Sequence, residues 1–262
     1  MKRPATGLIR SVATVAVFSL VWGSGGVGGW IDGDSVVRES HAQDKKGDDG
    51  EAESTPAPGE MTAEDVARRV QRFYKKTEDF HAEFKQVYTD IAAGDEKVNY
   101  GKVYFKKPGK MRWDYYKAED LENRKKTLVS DGKVFWVYEL EFQQVFKRCL
   151  NSSQLPTSLK FLMGQGNLLE DFDVSFAEDS SEKAPELELV PKEPTPKYKK
   201  VHFQVDPETF QVDKTTVFDP YGNTNEIDFQ QTKLNKNLPD SGFTFEPPEG
   251  ARMLNPEKEC SS

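Results

Sequence analysis

Apolar and polar residues alternate along much of the chain between residues 80 and 245. Alternation with a period of two is typical of strands that bury one face. The segment 103–113 shows the pattern twice: Val103 and Phe105 alternate before a Lys-Lys-Pro-Gly-Lys corner, and Met111 and Trp113 alternate after it. Because Pro-Gly between charged residues favours a turn, this segment predicts a hairpin with an apolar row on each strand.

The same alternation predicts about ten or eleven strands, most of them separated by turn residues such as Asp131-Gly132 and Asp206-Pro207. Short strands joined by close turns favour an antiparallel meander over a parallel sheet with crossover helices. The other predicted strands lie at 80–88, 134–138, 142–146, 172–176, 187–189, 201–205, 210–212, 227–229 and 243–245. In the strand at 134–138, the predicted apolar row is Val134, Trp136 and Tyr138.

Two segments show helical spacing instead. Thr62 and Asp65 form a capping pattern ahead of an apolar face with Val66 and Val70, which predicts a first helix at about 63–76. Residues 156–163 start with a proline and end at a glycine, which predicts a short second helix. The polar stretch 178–200 is rich in Pro, Lys and Glu and predicts a long exposed excursion.

Two short helices cannot cover one face of a ten-strand sheet. The sheet must therefore close on its own side chains or stay open around a lined cavity, and the pattern alone does not choose between these. The expected fold class is mainly β (α+β), with an antiparallel sheet that curls into a barrel or part of one.

The N-terminal part has a different composition. Lys2, Arg3 and Arg10 precede an apolar run at 12–22, which predicts a signal peptide at 1–30 with cleavage as late as residue 42. Residues 31–60 are predicted to be a disordered linker, and their acidic part, 44–60, carries −4 of the chain's formal charge of −8. The remaining residues are expected to form one domain at 61–255 and a tail at 256–262, with too little net charge to favour nucleic acid.

The sequence contains little that indicates catalysis. It has three histidines, no Gly-x-Ser-x-Gly elbow and no phosphate-binding loop in a strand–helix context, so we expect no enzyme, no metal and no cofactor. Cys149 and Cys260 are the two cysteines, and in an oxidising compartment they either pair or remain free.

Three segments of the chain form a recognisable set: GKVYFKKPGKMRW at 101–113, LVSDGKVFWVYE at 128–139 and FTFEPPEG at 243–250. In this order and spacing they resemble the LolA family of periplasmic lipoprotein carriers. The resemblance implies an incomplete antiparallel β-barrel in the periplasm of a Gram-negative bacterium, with short helices forming a lid over a hydrophobic cavity. It implies a monomer that takes acylated lipoproteins from an inner-membrane ABC transporter of the LolCDE type, and that in many members passes them to an outer-membrane LolB-type receptor.

The resemblance also implies site residues. The acyl-chain cavity would be lined by one set of apolar side chains: Val103, Phe105, Met111, Trp113, Leu128, Leu159, Leu162 and Met163. Lys107 stands where the family has an arginine that fastens the lid, here expected to be the 156–163 helix; lysine keeps the charge but not the two-pronged geometry. A lipid- or lipoprotein-sensing module of the RseB type and a LolB-like receptor are the alternatives.

Overall fold

A computed structural model of the chain describes residues 61–149, 161 and 166–254. The helices are α1 (Ala63–Lys76) and α2 (Leu168–Asp171), and a 3-10 helix covers Asp240–Phe243. The strands are β1 (Asp79–Asp90), β2 (Asp95–Lys106), β3 (Lys110–Tyr116), β4 (Arg124–Asp131), β5 (Val134–Glu139), β6 (Gln144–Cys149), β7 (Phe172–Phe176), β8 (Glu186–Pro191), β9 (Lys200–Val205), β10 (Val212–Phe218), β11 (Thr224–Leu234) and β12 (Arg252–Leu254).

Helix α1 begins and ends where the sequence predicts. The Thr62 hydroxyl accepts from the Asp65 backbone N–H while the Asp65 carboxylate accepts from the Thr62 N–H, which is the predicted capping box. Its apolar stripe buries Val66, Val70 and Tyr74. At the other end, the Thr77 N–H donates to the Phe73 and Tyr74 carbonyls before the chain enters β1.

The described strands form one sheet of twelve in the order β12-β6-β5-β4-β3-β2-β1-β11-β10-β9-β8-β7. The neighbours pair antiparallel, except that β12 runs parallel to β6. The predicted hairpin at 103–113 is present, with Val103 opposite Trp113 and Phe105 opposite Met111. The sheet is open: β12 and β7 are its two edges.

The sheet curves strongly. The rings of Trp113 on β3 and Phe229 on β11 lie 6.5 Å apart between centroids, although β2 and β1 stand between these strands. In a flat sheet three strand spacings would separate them by about 14 Å. We call the inner side the concave face, and α1 packs on it: the Tyr74 hydroxyl accepts from the Val212 N–H, and the Tyr74 ring contacts Phe80 at 6.2 Å.

The segment after β11 covers part of the outer face. Phe243 of the 3-10 helix is buried there, and the Arg112 guanidinium donates to the Gly242 carbonyl. Beneath it, the buried Asp114 carboxylate accepts hydrogen bonds from Arg112 at 2.7 Å and from the Thr127 hydroxyl at 2.7 Å. This cover explains why β4 is buried on both faces.

The structure corrects several predictions. Phe243 lies in a 3-10 helix and not in a strand at 243–245, because the chain there crosses the outer face instead of joining the sheet. The stretch 178–200 is not one exposed excursion: it contains β8, which was predicted as a strand at 187–189 and whose Leu187 and Leu189 are fully buried. In β5 the buried residues are Phe135 and Val137, the opposite set to the predicted row.

The predicted architecture is confirmed only in its coarser form. The chain is mainly β with few helices, as expected, but within the described residues there are twelve strands where ten or eleven were predicted. Two strands were missed, and the strand predicted at 243–245 is absent. β4 shows no alternation because four consecutive residues of it are buried, and β12 has three residues and no alternation to detect it. The sheet is not closed into a barrel, and a lid over a cavity is not seen in the described part of the chain, since the segment 156–163 lies outside it except for Phe161.

Candidate functional site

The concave face carries a continuous apolar surface. Five of the residues predicted to line the cavity lie in one buried cluster, each 6% exposed or less: Val103, Phe105, Met111, Trp113 and Leu128. The register brings them together, because Trp113 of β3 stands between Val103 of β2 and Leu128 of β4. The structure thus places these five side chains on one surface; their contact with a ligand stays a prediction.

Aromatic rings dominate the centre of this surface. Phe105 packs against Phe80 at 4.8 Å and edge-on to Trp113 at 5.8 Å between centroids. Phe84 packs edge-on to Trp113 at 5.0 Å. Rings in such arrangements bury a large apolar area each, so the surface offers much more hydrophobic contact than aliphatic strands of the same length.

Helix α1 and Phe161 pack on the concave face beside this surface. Phe161 is 1% exposed and lies between Tyr74 of α1 and Phe203 of β9, at 5.0 and 5.5 Å. The sequence pattern missed Phe161, because helical spacing had selected Leu159, Leu162 and Met163 as the inward row. Those three residues lie outside the described part of the chain.

Lys107 lies at the end of the strands where α1 joins β1, which we call the helix end of the sheet. Its ammonium donates to the carbonyls of Tyr74 at 3.0 Å and Lys75 at 2.7 Å. Free carbonyls at a helix C-terminus carry partial negative charge, so a lysine there is well placed. Among the described residues Lys107 therefore fastens α1, because the end of α1 adjoins β2. The 156–163 segment, which the sequence named as the lid, lies outside the described residues except for Phe161, so a bond from Lys107 to it stays a prediction.

A row of polar side chains crosses the opposite end of the concave face. It consists of Lys125, Asn99, Gln86 and Asn225, from β4, β2, β1 and β11, and we call it the polar row. The Lys125 ammonium donates to Asn99 Oδ1 at 2.8 Å, and Gln86 Nε2 donates to Asn225 Oδ1 at 2.9 Å. Gln86 and Asn225 are 1% and 4% exposed, so this row is built into the molecule and is not a solvated rim.

Two buried donors on this face have no hydrogen-bond partner within the described residues: Asn225 Nδ2 and Trp113 Nε1. A buried polar group without a hydrogen bond lowers the free energy of unfolding by about 1–3 kcal/mol. These two donors are therefore groups that a ligand on the concave face could satisfy.

Lys126 stands beside the polar row, with its ammonium 5.2 Å from the centre of the Tyr115 ring. Burial lowers the pKa of Lys126 to about 8, although the negative charge of Glu139 acts to raise it. In the unfolded chain the pKa of this lysine is about 10.4, so between pH 8 and about 10 the unfolded state binds more protons than the folded state. The free energy of unfolding should therefore increase as pH rises through this range.

Lys126→Met should remove that part of the pH dependence, because methionine keeps the apolar stem without the charge. The measurement is the urea midpoint at pH 7, 8 and 9 for wild type, Lys126→Met and the exposed control Lys85→Met. Parallel pH profiles for all three proteins would contradict the burial of the Lys126 charge.

A cavity of about 500 Å³ opens beside the N-terminus of α1. Its apolar wall contains Met61, Val66, Phe176 and Phe210, and Val66 also belongs to the buried cluster. A volume of this size falls within the range of small-molecule pockets. The cavity thus borders the buried cluster at Val66, away from the residues that were predicted to line the acyl-chain cavity.

Other expected features have limited support. Cys149 is disulfide-bonded at the end of β6, whereas Cys260 lies outside the described residues, so their pairing stays a prediction. Among the described residues, His, Cys, Asp and Glu form no group of three or more suited to a metal. None of the described helices is long and apolar enough to cross a membrane.

Comparison with known proteins gives this geometry a family. A family model described as "Outer membrane lipoprotein carrier protein LolA" matches residues 75–246, about two thirds of the chain. The chain belongs to the LolA family. The match runs from the end of α1 past the 3-10 helix and so includes both Lys107 and the polar row.

Several known proteins are similar to this chain. The outer-membrane lipoprotein carrier protein of Methylobacillus flagellatus is 27% identical over 72% of this chain and 89% of its own length. The carrier of Dechloromonas aromatica is 27% identical over 71% of this chain and 86% of its own length. Among solved structures, the LolA superfamily protein NE2245 from Nitrosomonas europaea is 16% identical over 71% of this chain and 98% of its own, with a TM-score of 0.39.

Proposed function

We propose that this LolA-family protein binds the acyl chains of lipoproteins released from the inner membrane and carries them through the periplasm to the outer membrane. The observation that carries the proposal is the continuous apolar concave face, on which α1 packs with its end held by Lys107. The role is one of binding and transfer, without catalysis.

The energetics suit such a carrier. Each buried CH₂ group is worth about 0.8 kcal/mol, so an acyl chain holds a lipoprotein on its membrane unless another apolar surface replaces the bilayer. The aromatic surface around Phe105 and Trp113 can supply that replacement once α1 moves. Release of the ligand would then restore the contacts that Tyr74 of α1 makes with Phe80 and Phe161.

The proposed partners are consistent with this role. The cargo comes from a lipoprotein-releasing ABC transporter of the LolCDE type, and an outer-membrane LolB-type receptor can accept it. The protein would act as a monomer, because the surface that binds the chains is formed within one chain. A sensing module of the RseB type would use the same surface but would hold its ligand without passing it on.

The direct test is release of a radiolabelled lipoprotein from spheroplasts into the medium by the purified protein, followed by incubation with outer membranes. We expect a complex of protein and lipoprotein in the medium and transfer of the label to the membranes. Release without transfer would favour the sensing module. No release by the folded protein would overturn the proposal.

Lys107 is expected to tune release more than loading. Hydrogen bonds from a charged donor contribute about 1.5–3 kcal/mol, and the two bonds to α1 favour the closed, empty state. Lys107→Leu should therefore bind cargo at least as well as wild type but transfer it more slowly, by about tenfold. Lys107→Arg should transfer at least as fast, since a guanidinium holds two carbonyls in a fixed fork.

The measurement compares first-order transfer rates to outer membranes for the three proteins, with the exposed Lys133→Leu as a control for lost charge. Equal rates in all of them would show that the bonds to α1 do not oppose the open state.

A further inference from the structure

The hydrogen bonds of the polar row all run in one direction. An ammonium group donates and cannot accept, so Lys125 requires the oxygen of the Asn99 amide. The Asn99 nitrogen then faces Gln86 Oε1 at 3.5 Å, which leaves Gln86 Nε2 to donate to Asn225 Oδ1 at 2.9 Å. The charged end of the row thus fixes the orientation of all three amides, and the row ends in the free donor of Asn225.

The surroundings of Asn225 describe the group that this donor needs. Asn225 Nδ2 is buried and has no partner among the described residues. Asn225 stands opposite Tyr88 on β1 and Val217 on β10, and the next residue of β11 on the same face is the buried Ile227. A donor with apolar neighbours is complemented by an acceptor oxygen attached to a hydrocarbon.

We propose that the Asn225 amide, oriented by the polar row, binds the carbonyl or carboxylate oxygen at the head of a fatty acyl chain. The hydrocarbon of that chain would lie along Ile227 and Phe229 of β11, towards the aromatic centre of the concave face. This inference rests on the proposed function, in which the concave face takes acyl chains, and adds a polar recognition site at a defined end of it.

The row makes Asn225 more than an isolated amide. Hydrogen bonds in a chain polarise one another, and this chain begins at a positive charge, so the terminal N–H is a stronger donor than a free asparagine. An acyl ester should therefore bind about tenfold more tightly than a hydrocarbon of equal length, the gain from one well-made hydrogen bond.

The test uses three probes of matched chain length: dodecane, methyl laurate and laurate. Each displaces a neutral naphthylamine dye from the purified full chain, and the ratio of half-displacement concentrations for dodecane and an oxygen-bearing probe measures recognition of the head group. Wild type should favour methyl laurate or laurate over dodecane about tenfold. A preference for the ester points to lipid-linked chains, and a preference for laurate points to free fatty acids; either supports the site.

Asn225→Asp is the decisive variant, because it keeps an oxygen for Gln86 and replaces the free donor by an acceptor. The ratio should fall to about one for methyl laurate and below one for laurate, while dodecane binding stays as in wild type. Gln230→Glu, an exposed change on the same strand, controls for added negative charge.

If Asn225→Asp does not fold, the double variant Asn225→Leu and Gln86→Leu removes both buried donors and should give a ratio of about one for methyl laurate and for laurate. Unchanged ratios in the folded variant, with wild type binding all three probes, would overturn this site and leave the carrier function standing. Failure of folded wild type to bind any probe would instead overturn the carrier function, and with it the site.

Discussion

Gly101→Ala is expected to lower the free energy of unfolding by roughly 3 kcal/mol, at the upper end of the cost of overpacking a core. Gly101 lies on the concave face between Phe84 and Tyr115. A Cβ at this position would overlap the Phe84 ring and the backbone carbonyl of Asp114. The Phe84 ring already packs edge-on against Trp113 and Tyr115, which restrict its movement, and the carbonyl belongs to the neighbouring strand.

The matched control is Gly242→Ala, where an added Cβ meets no atom within 4 Å. That variant should stay within about 0.5 kcal/mol of wild type. The measurement is urea unfolding of wild type, Gly101→Ala and Gly242→Ala. Equal midpoints for the two variants would show that β2 and β3 can move apart at Gly101 without loss of stability.

Phe105→Glu is expected to abolish loading of acylated cargo. Phe105 is 2% exposed and lies between Phe80 and Trp113, so the variant places an unpaired carboxylate on the surface where acyl chains would lie. The cost to cargo binding is several kcal/mol. The same burial predicts a less stable empty protein, by roughly 3–5 kcal/mol for loss of the packed ring.

Both effects are separable by experiment. Circular dichroism at low temperature establishes whether the variant is folded, and release of lipoprotein from spheroplasts measures loading. Val98→Glu, on the same strand but 45% exposed, is the control and should load normally. A folded Phe105→Glu protein that loads as well as wild type would remove Phe105 from the site, and an unfolded one would assign Phe105 to permanent packing.

Local chemistry was sufficient to predict some elements. The capping box of α1 depends on Thr62 and Asp65, three residues apart, and the hairpin at 103–113 depends on its own turn. Such features depend on residues that are close together in the chain, so they can be predicted from the sequence.

Features decided by distant segments were not predictable. In β5 both alternating sets are apolar, so periodicity cannot say which one faces inward. The choice depends on the chain after β11: Phe245 covers Trp136 and Tyr138 on the outer face, at 6.4 and 5.8 Å, and leaves Phe135 and Val137 for the concave face.

The polar row is a similar case. Gln86 and Asn225 lie 139 positions apart and meet only because β1 pairs with β11. No spacing in the sequence relates them. The row could be found only once the register of the strands was known.

The short parallel strand β12 has a consequence for the behaviour of the protein in a crowded compartment. An open sheet has two edges, and an unprotected edge is a template on which another molecule can add a strand. β12 occupies one of them with three residues, where β6 would otherwise offer six. The C-terminal segment thereby shortens, at this edge, the length over which two copies could join strand to strand, and leaves the five residues of β7 as the longer edge.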